Sequence, residues 1–226
     1  MPVFLNRKRR SLAFVSYKAM YSRFMYADTW EEIGVWVTPR IAAIHTIKHH
    51  CKSAFQIIRH PEPRFVSFFM DKFRIQPTLC ESKDFQWQAC HHSFFPLIGM
   101  SQKNSNQEIA NAFLKLSFDR VIEALPEYYA IDPHTWPQTW TSQCRFSSPA
   151  KNHEGRKGRW FRLPGIQSLK MEEPESLAQI PDVDFSKKTN QSSYFKRDFQ
   201  VTADHRETLR RIYANDYRIG DYADPQ

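Results

Sequence analysis

The sequence lacks several features that mark common classes of protein. It has 6 glycines and 14 prolines in 226 residues, so it does not have the composition of a glycine-rich fibrous or low-complexity chain. It contains no Gly-x-x-x-x-Gly-Lys-Ser/Thr run, which argues against a standard P-loop kinase. No internal repeat is visible, and no apolar run is long enough to cross a membrane. These absences leave a globular chain as the expectation.

The four cysteines form no Cys-x-x-Cys pair. The run Cys90-His91-His92 has no second pair at a zinc-finger spacing, so we expect free thiols and no metal. No signal peptide is evident. The sequence therefore predicts a soluble, cytoplasmic protein without a membrane-spanning segment.

The composition favours a packed core and an anionic partner. Aromatic residues make up 15% of the chain, including 18 phenylalanines, which argues against disorder. The net charge of +8 suits nucleotide phosphates, an acidic glycan or nucleic acid. The only compact basic run, Arg7-Lys8-Arg9-Arg10, directly precedes a candidate first strand. We interpret it as a solvated strand entrance rather than a nucleic-acid-binding arm.

The most informative stretch of the sequence covers residues 55–73. Its first four residues, Phe-Gln-Ile-Ile, predict a short buried strand. Pro61 and Pro63 end this strand, and Pro63 suits the first turn of a following helix. Arg59 is therefore expected at the carboxyl end of a strand, with Ser67 about one turn into the helix. Such strand-to-helix crevices bind ligands in open α/β sheets, and an arginine beside a hydroxyl suits a phosphate monoester.

A second candidate segment follows the first strand, predicted at residues 11–16. Lys18 comes two residues later, and a helical pattern then runs through Phe24, Met25 and Trp30. A strand, a lysine and a helix start are the parts of a phosphate cradle, because backbone N–H groups and an ammonium face the anion. The residues of this candidate cradle are Lys18, Ala19, Met20, Tyr21, Ser22 and Arg23.

The Arg-x-Pro-x-x-Arg-x-x-Ser pattern from Arg59 to Ser67 resembles the 3′-phosphate-binding segment of sulfotransferases that use 3′-phosphoadenosine-5′-phosphosulfate (PAPS), most of all their carbohydrate-type branch. The resemblance implies that these two residues clamp the 3′-phosphate. Lys18 and Ser22 fit the family's other segment, usually Pro-Lys-x-Gly/Ala-x-Thr, and would bind the phosphosulfate and the 5′-phosphate. Met20 departs from this pattern, because the family has a small residue there.

Two later segments resemble further landmarks of the carbohydrate-type branch. Residues 132–138, Asp-Pro-His-Thr-Trp-Pro-Gln, are followed by Cys144. In the family this segment lies near the acceptor and the nucleotide, so the resemblance implies that His134 and Gln138 line the acceptor site. The tyrosine-rich end at residues 213–222 resembles the family's terminal signature.

The resemblance also implies the architecture and the reaction. The fold would be α/β, a P-loop-like three-layer sandwich with a central parallel sheet flanked by helices, as one domain over residues 1–226. Independently of the resemblance, residues 77–106 are polar, aromatic and irregular, so we expect a lid or an acceptor-binding excursion there. PAPS would be the co-substrate, with no metal. The acceptor would be a hydroxyl, of a glycan as the family suggests, while a lipid, a peptide tyrosine or a small metabolite stay open.

The catalytic base does not transfer from the family. Many relatives have a histidine at the position that corresponds to Trp36. His45, in the helix predicted to begin at Pro39, is one substitute, and Glu31 and Glu32 are others.

Two alternatives stay open at this point. One is a P-loop-type nucleotide-binding protein, and the other is a non-catalytic nucleic-acid-binding protein that uses the positive charge. A degenerate sulfotransferase or P-loop-like fold used for binding alone belongs with them. The sequence points to nucleotide rather than nucleic acid, and it does not indicate an oligomeric state.

Overall fold

The computed structural model describes residues 2–34, 39–141, 143–144, 161–162, 165–185 and 196–222. The described residues belong to two compact units. The first unit lies within Met1–Pro61, Pro137–Thr189 and Tyr213–Gln226, and the second within Glu62–Trp136 and Asn190–Ile212. The expected single domain over residues 1–226 stays a prediction, and each unit is described by itself.

The first unit contains the β-strands of the described residues. They are β1 (Val3–Asn6), β2 (Ser11–Val15), β3 (Glu31–Gly34), β4 (Ser53–Ile58), β5 (Gln143–Cys144), β6 (Phe161–Arg162) and β7 (Ile166–Lys170). Five of them form one sheet in the order β3-β1-β2-β4-β7, and β5 pairs with β6. In the large sheet, β2, β4 and β7 are parallel, whereas β1 is antiparallel to both β2 and β3. The α/β class is confirmed, but the sheet is mixed rather than wholly parallel.

The basic run at residues 7–10 forms the turn between β1 and β2. It does not precede the first strand, as the sequence had suggested, because the short segment Val3–Asn6 already forms β1. Two of its arginines make exposed ion pairs, Arg7 with Glu31 at 2.8 Å and Arg9 with Asp182 at 3.1 Å. The turn is therefore solvated, and such surface pairs add little to stability.

The α-helices of the described residues are α1 (Tyr21–Met25), α2 (Pro39–Lys48), α3 (Pro61–Met70), α4 (Ala89–Phe94), α5 (Asn106–Lys115), α6 (Phe118–Tyr128), α7 (Pro174–Leu177), α8 (Ala203–Ile212) and α9 (Ala214–Gly220). None of these helices is long and apolar enough to span a membrane. Helix α1 has only five residues and ends before Trp30, so it is shorter than the helical pattern in the sequence indicates.

Strand β2 is buried on both faces, which explains its continuous apolar sequence. Leu12 and Phe14 belong to a core cluster that includes Ala42 of α2. Ala13 and Val15 belong to a second cluster that includes Phe24 of α1. Alternate residues of a strand point to opposite faces, so apolar side chains cover both faces of the sheet within this unit.

The second unit has an aromatic core supplied by its helices. Phe68 packs against Phe94 of α4, and Phe69 packs edge-to-face against Phe118 of α6. The phenylalanine side chains of α3 thus pack against other helices of this unit. Ser105 and Glu108 form a capping box at the start of α5, which satisfies backbone N–H groups at the start of the helix.

The excursion predicted at residues 77–106 is more ordered than the sequence indicates. It contains α4 and short 3-10 helices at Gln76–Leu79 and Phe95–Ile98. His91, Phe94 and Phe95 are buried, so these rings contribute to a core. A role of the excursion as a lid stays a prediction.

Candidate functional site

The carboxyl ends of β2 and β4 bring the two predicted phosphate-binding cations together. The strands are parallel neighbours, with Val15 opposite Ile57. Lys18 follows β2, and Arg59 is the first residue after β4. Nη1 of Arg59 donates a hydrogen bond of 2.9 Å to the backbone carbonyl of Lys18. The arginine therefore lies directly against the lysine turn, although 41 residues separate the two in sequence.

The turn after β2 has an unusual backbone. Lys18 and Met20 both adopt left-handed conformations, with φ of 64° and 66°. A residue with a Cβ pays on the order of 1–2 kcal/mol for this conformation, a cost that glycine would avoid. The side chain of Met20 packs against the core cluster on the α1 face. It therefore points into the protein.

Two polar atoms beside this turn lack hydrogen-bond partners in the part of the chain that the structure describes. They are Oγ of Ser16, which is fully buried, and Nε of Arg23, which is 8% exposed. A buried polar atom without a partner costs free energy that a bound oxygen or nitrogen can recover. Ser16 was not predicted as a site residue, because a serine at the end of a strand carries no signal by itself.

Tyr21 connects the same segment to β3. Its hydroxyl donates to Oε2 of Glu32 at 3.1 Å. Burial and the nearby Glu32 carboxylate raise the pKa of Tyr21 to about 12. Oε1 of Glu32 is buried and has no hydrogen-bond partner among the described residues. Ser22 lies half-buried in the first turn of α1, and Ala19 is fully buried.

Gln138 is fully buried, and its side chain is engaged with the backbone of Arg59. Its Oε1 accepts the N–H of Arg59 at 2.8 Å, and its Nε2 donates to the carbonyl of Arg59 at 2.7 Å. Asp216 in turn accepts the backbone N–H groups of Gln138 and Thr139, at 2.7 and 2.9 Å. The structure thus gives Gln138 contacts with protein backbone, and its expected contact with an acceptor stays a prediction.

The tyrosine-rich end of the chain also lies at the end of β4. Glu172 accepts the N–H of His60 at 2.8 Å and the hydroxyl of Tyr222 at 3.0 Å. The His60 ring contacts the rings of Tyr217 and Tyr222. Burial, followed by the Glu172 charge, raises the pKa of Tyr222. The resemblance at residues 213–222 therefore marks a segment that packs beside Arg59.

The remaining members of the predicted patterns lie in the second unit. Nδ1 of His134 is 2.7 Å from Oδ1 of Asp132. Arg64 is 1% exposed and donates to the carbonyls of His134 and Trp136, at 3.3 and 3.0 Å. This arginine therefore holds the turn that carries His134. Ser67, the seventh residue of α3, is buried, and its contact with a 3′-phosphate stays a prediction.

One group of side chains in the second unit has donor atoms spaced for a metal ion. The donor atoms of Cys90, Asp132 and His134 lie within 4.8 Å of one another. The expectation of no metal stays a prediction. His91 is not a member of this group: its Nδ1 accepts the Gln88 N–H and lies 3.8 Å from Sγ of Cys90, and its Nε2 lies 3.2 Å from the Lys72 carbonyl oxygen.

Among the described residues, the ring of His45 contacts His49, and its role as the catalytic base stays a prediction. The two rings stack at 5.6 Å, and both histidines interact electrostatically with Glu31. Glu31 is opposite Leu5, which is in turn opposite Leu12 near the start of β2. Lys18 follows the other end of this five-residue strand, on the order of 15 Å from Leu12.

Trp36, the residue that the resemblance aligns with the family's histidine, lies outside the described residues.

The fold and these contacts define an α/β protein with a cationic site at the ends of two parallel strands. The model of the sulfotransferase family matches residues 35–223, and the chain belongs to this family. The match includes Arg59, Gln138 and Asp216, whereas Lys18 and its turn precede it. Comparisons with curated proteins and with solved structures found no match.

Proposed function

We propose that the protein transfers the sulfuryl group of PAPS to an acceptor hydroxyl, and that the nucleotide binds where Arg59 meets Lys18. The observation that carries this proposal is the 2.9 Å hydrogen bond from Arg59 to the Lys18 carbonyl. It is supported by the family membership and by two buried atoms, Ser16 Oγ and Arg23 Nε, that have no hydrogen-bond partner among the described residues. In this proposal β2 and the following turn act as the phosphate loop of a P-loop-like fold.

The two cations have different roles in the proposed reaction. The ammonium of Lys18 stabilises the charge that develops on the bridging oxygen as the bond from sulfur to the 5′-phosphate oxygen breaks. The guanidinium of Arg59 binds the 3′-phosphate, which distinguishes PAPS from ATP. Because α1 has only five residues, binding depends on these cations and on the turn rather than on a long helix dipole.

A base must accept the proton of the acceptor hydroxyl while the hydroxyl oxygen forms its bond to sulfur. Of the candidates His45, Glu31 and Glu32, Glu32 has a hydrogen bond to the predicted cradle in the described part of the chain, through Tyr21. Oε1 of Glu32 has no hydrogen-bond partner among the described residues, which is also true of Nδ1 of His45, so the contact with Tyr21 is what favours Glu32. We therefore assign the base to Glu32. A glycan hydroxyl in the cytoplasm is the proposed acceptor, in line with the carbohydrate-type resemblance.

The transfer of radiolabelled sulfate from PAPS to a mixed pool of oligosaccharide and glycosaminoglycan acceptors tests this function. We expect labelled product with the wild type and a loss of at least about a hundredfold with Lys18→Ala. Lys52→Ala, at an exposed position of the same unit, is the matched control and should keep the wild-type rate. Wild-type activity in Lys18→Ala would refute the role of Lys18. Nucleotide binding without transfer to any acceptor would favour a binding protein on a degenerate fold.

A further inference from the structure

We propose that Gln138 and Asp216 are positioning residues that set the preference of the nucleotide site for a 3′-phosphate. They would act by fixing Arg59 at the end of β4, without touching the nucleotide. This inference rests on the proposed function, because it assumes that Arg59 binds the 3′-phosphate.

At Arg59, the side chain of Gln138 makes the two backbone hydrogen bonds that a neighbouring strand would otherwise make. Strand β4 ends at Ile58, where its last pair with β7 is Ile58 with Lys170. The next residue, Arg59, has its N–H and its carbonyl bound by the Gln138 amide, at 2.8 and 2.7 Å. A primary amide can both accept and donate, so it satisfies both backbone groups of one residue.

Gln138 is itself held from two sides. Asp216, at the start of α9 and 1% exposed, accepts the N–H groups of Gln138 and Thr139. From β4, Nε2 of Gln56 donates to the Gln138 carbonyl at 2.8 Å. Charge-assisted hydrogen bonds to a buried carboxylate are stronger than neutral ones. The contacts therefore form one connected series from Asp216 through Gln138 to Arg59, and on to the Lys18 carbonyl.

These connected contacts explain how the flexible side chain of Arg59 can become selective for a 3′-phosphate. An arginine binds phosphate well when its planar fork is held in one orientation, because less side-chain freedom is lost on binding. The Gln138 amide fixes the backbone of Arg59, and the Lys18 carbonyl binds one guanidinium nitrogen. Without the Gln138 amide, Arg59 would keep its charge, but its backbone would no longer be held in one position. The 3′-phosphate should then contribute less to affinity, while the 5′-phosphate should bind as before.

Calorimetric titration of 3′,5′-ADP and of 5′-AMP against wild type and Gln138→Met measures this contribution directly. For the variant, we expect the affinity for 3′,5′-ADP to fall about tenfold while that for 5′-AMP changes by less than about twofold. Asp216→Asn should shift the ratio of the two affinities in the same direction. Gln179→Met, the equivalent change at an exposed position of the same unit, should leave both affinities unchanged. A general loss of folding would lower both affinities together.

If the wild type shows no preference for 3′,5′-ADP, the proposed function fails first. If the wild type prefers 3′,5′-ADP and Gln138→Met keeps the same ratio, the positioning role is overturned. Should Gln138→Met fail to fold, Gln138→Glu replaces it, because a carboxylate still accepts the Arg59 N–H but cannot donate to the carbonyl. We expect an intermediate ratio for Gln138→Glu, and a wild-type ratio would overturn the inference.

Discussion

At the scale of single residues, the described part of the site contains polar groups whose hydrogen bonds are satisfied and buried polar atoms that have no hydrogen-bond partner. The backbone groups of Arg59 are both bound by Gln138. Oε1 of Glu32, by contrast, has no partner among the residues that the structure describes. Buried polar groups in proteins are nearly always satisfied, so an exception of this kind near a predicted ligand site has a functional interpretation.

Glu32→Gln tests that interpretation. The amide keeps the size of the side chain but is a poor proton acceptor, so we expect transfer to slow by about a hundredfold or more. The affinity for 3′,5′-ADP should stay near that of the wild type, because Glu32 is not assigned to the nucleotide. His45→Gln is the comparison, and it should keep most of the activity. An active Glu32→Gln together with an inactive His45→Gln would move the base to His45.

Residue-level reasoning from the sequence placed Lys18 and Arg59 at strand ends but did not show what holds Arg59 in position. The predicted strands and prolines were enough to place both cations at strand ends, because the local pattern determines where a strand stops. The partners of Arg59 could not be predicted in this way. Gln138 is 79 residues away in sequence, and nothing in the local pattern of Pro-Gln indicates that its amide replaces a strand.

At the scale of elements, the sequence predicted long apolar segments well and short ones poorly. The strand before Arg59 and the phenylalanine-rich helix after it are both present, as β4 and α3. Strand β1 was missed, since four residues next to a basic run carry little periodicity. The same holds for α4, whose six residues contain two histidines. Tertiary packing, rather than propensity, stabilises such short elements.

A buried histidine in the first turn of α4, His91, should make the stability of the folded protein sensitive to acid. His91 is fully buried, accepts the Gln88 N–H on Nδ1 and contacts the Lys72 carbonyl through Nε2. Burial and the Lys72 charge lower the pKa of His91 to about 4, from an unfolded value of 6.5. The neutral form is thus favoured in the folded protein. The resulting stability is present above pH 6.5 and is lost as the pH falls towards 4.

Urea unfolding at pH 7 and pH 4.5 measures this effect. The contribution of His91 should fall by on the order of 2–3 kcal/mol between these pH values. His91→Gln is expected to be less stable than the wild type at pH 7 but to lose less stability on acidification. His92→Gln, at the exposed neighbouring position, serves as the control. An equal loss in wild type and His91→Gln would show that other groups dominate the acid response.

At the scale of the whole molecule, the net charge of +8 and the family membership point to the same kind of partner. A basic protein attracts many anions, but long-range attraction is not selective. Selectivity has to come from the few fixed groups at the ends of β2 and β4. The central claim is therefore that Lys18 and Arg59 together bind a nucleotide with phosphates at both the 5′ and 3′ positions.

Calorimetric titration of 3′,5′-ADP and of ATP against the wild type, Lys18→Ala and Arg59→Ala tests this claim most directly. We predict that the wild type binds 3′,5′-ADP more tightly than ATP, and that each substitution weakens 3′,5′-ADP binding at least about tenfold. Equal affinity of the wild type for the two nucleotides, or unchanged binding of 3′,5′-ADP by both variants, would contradict it.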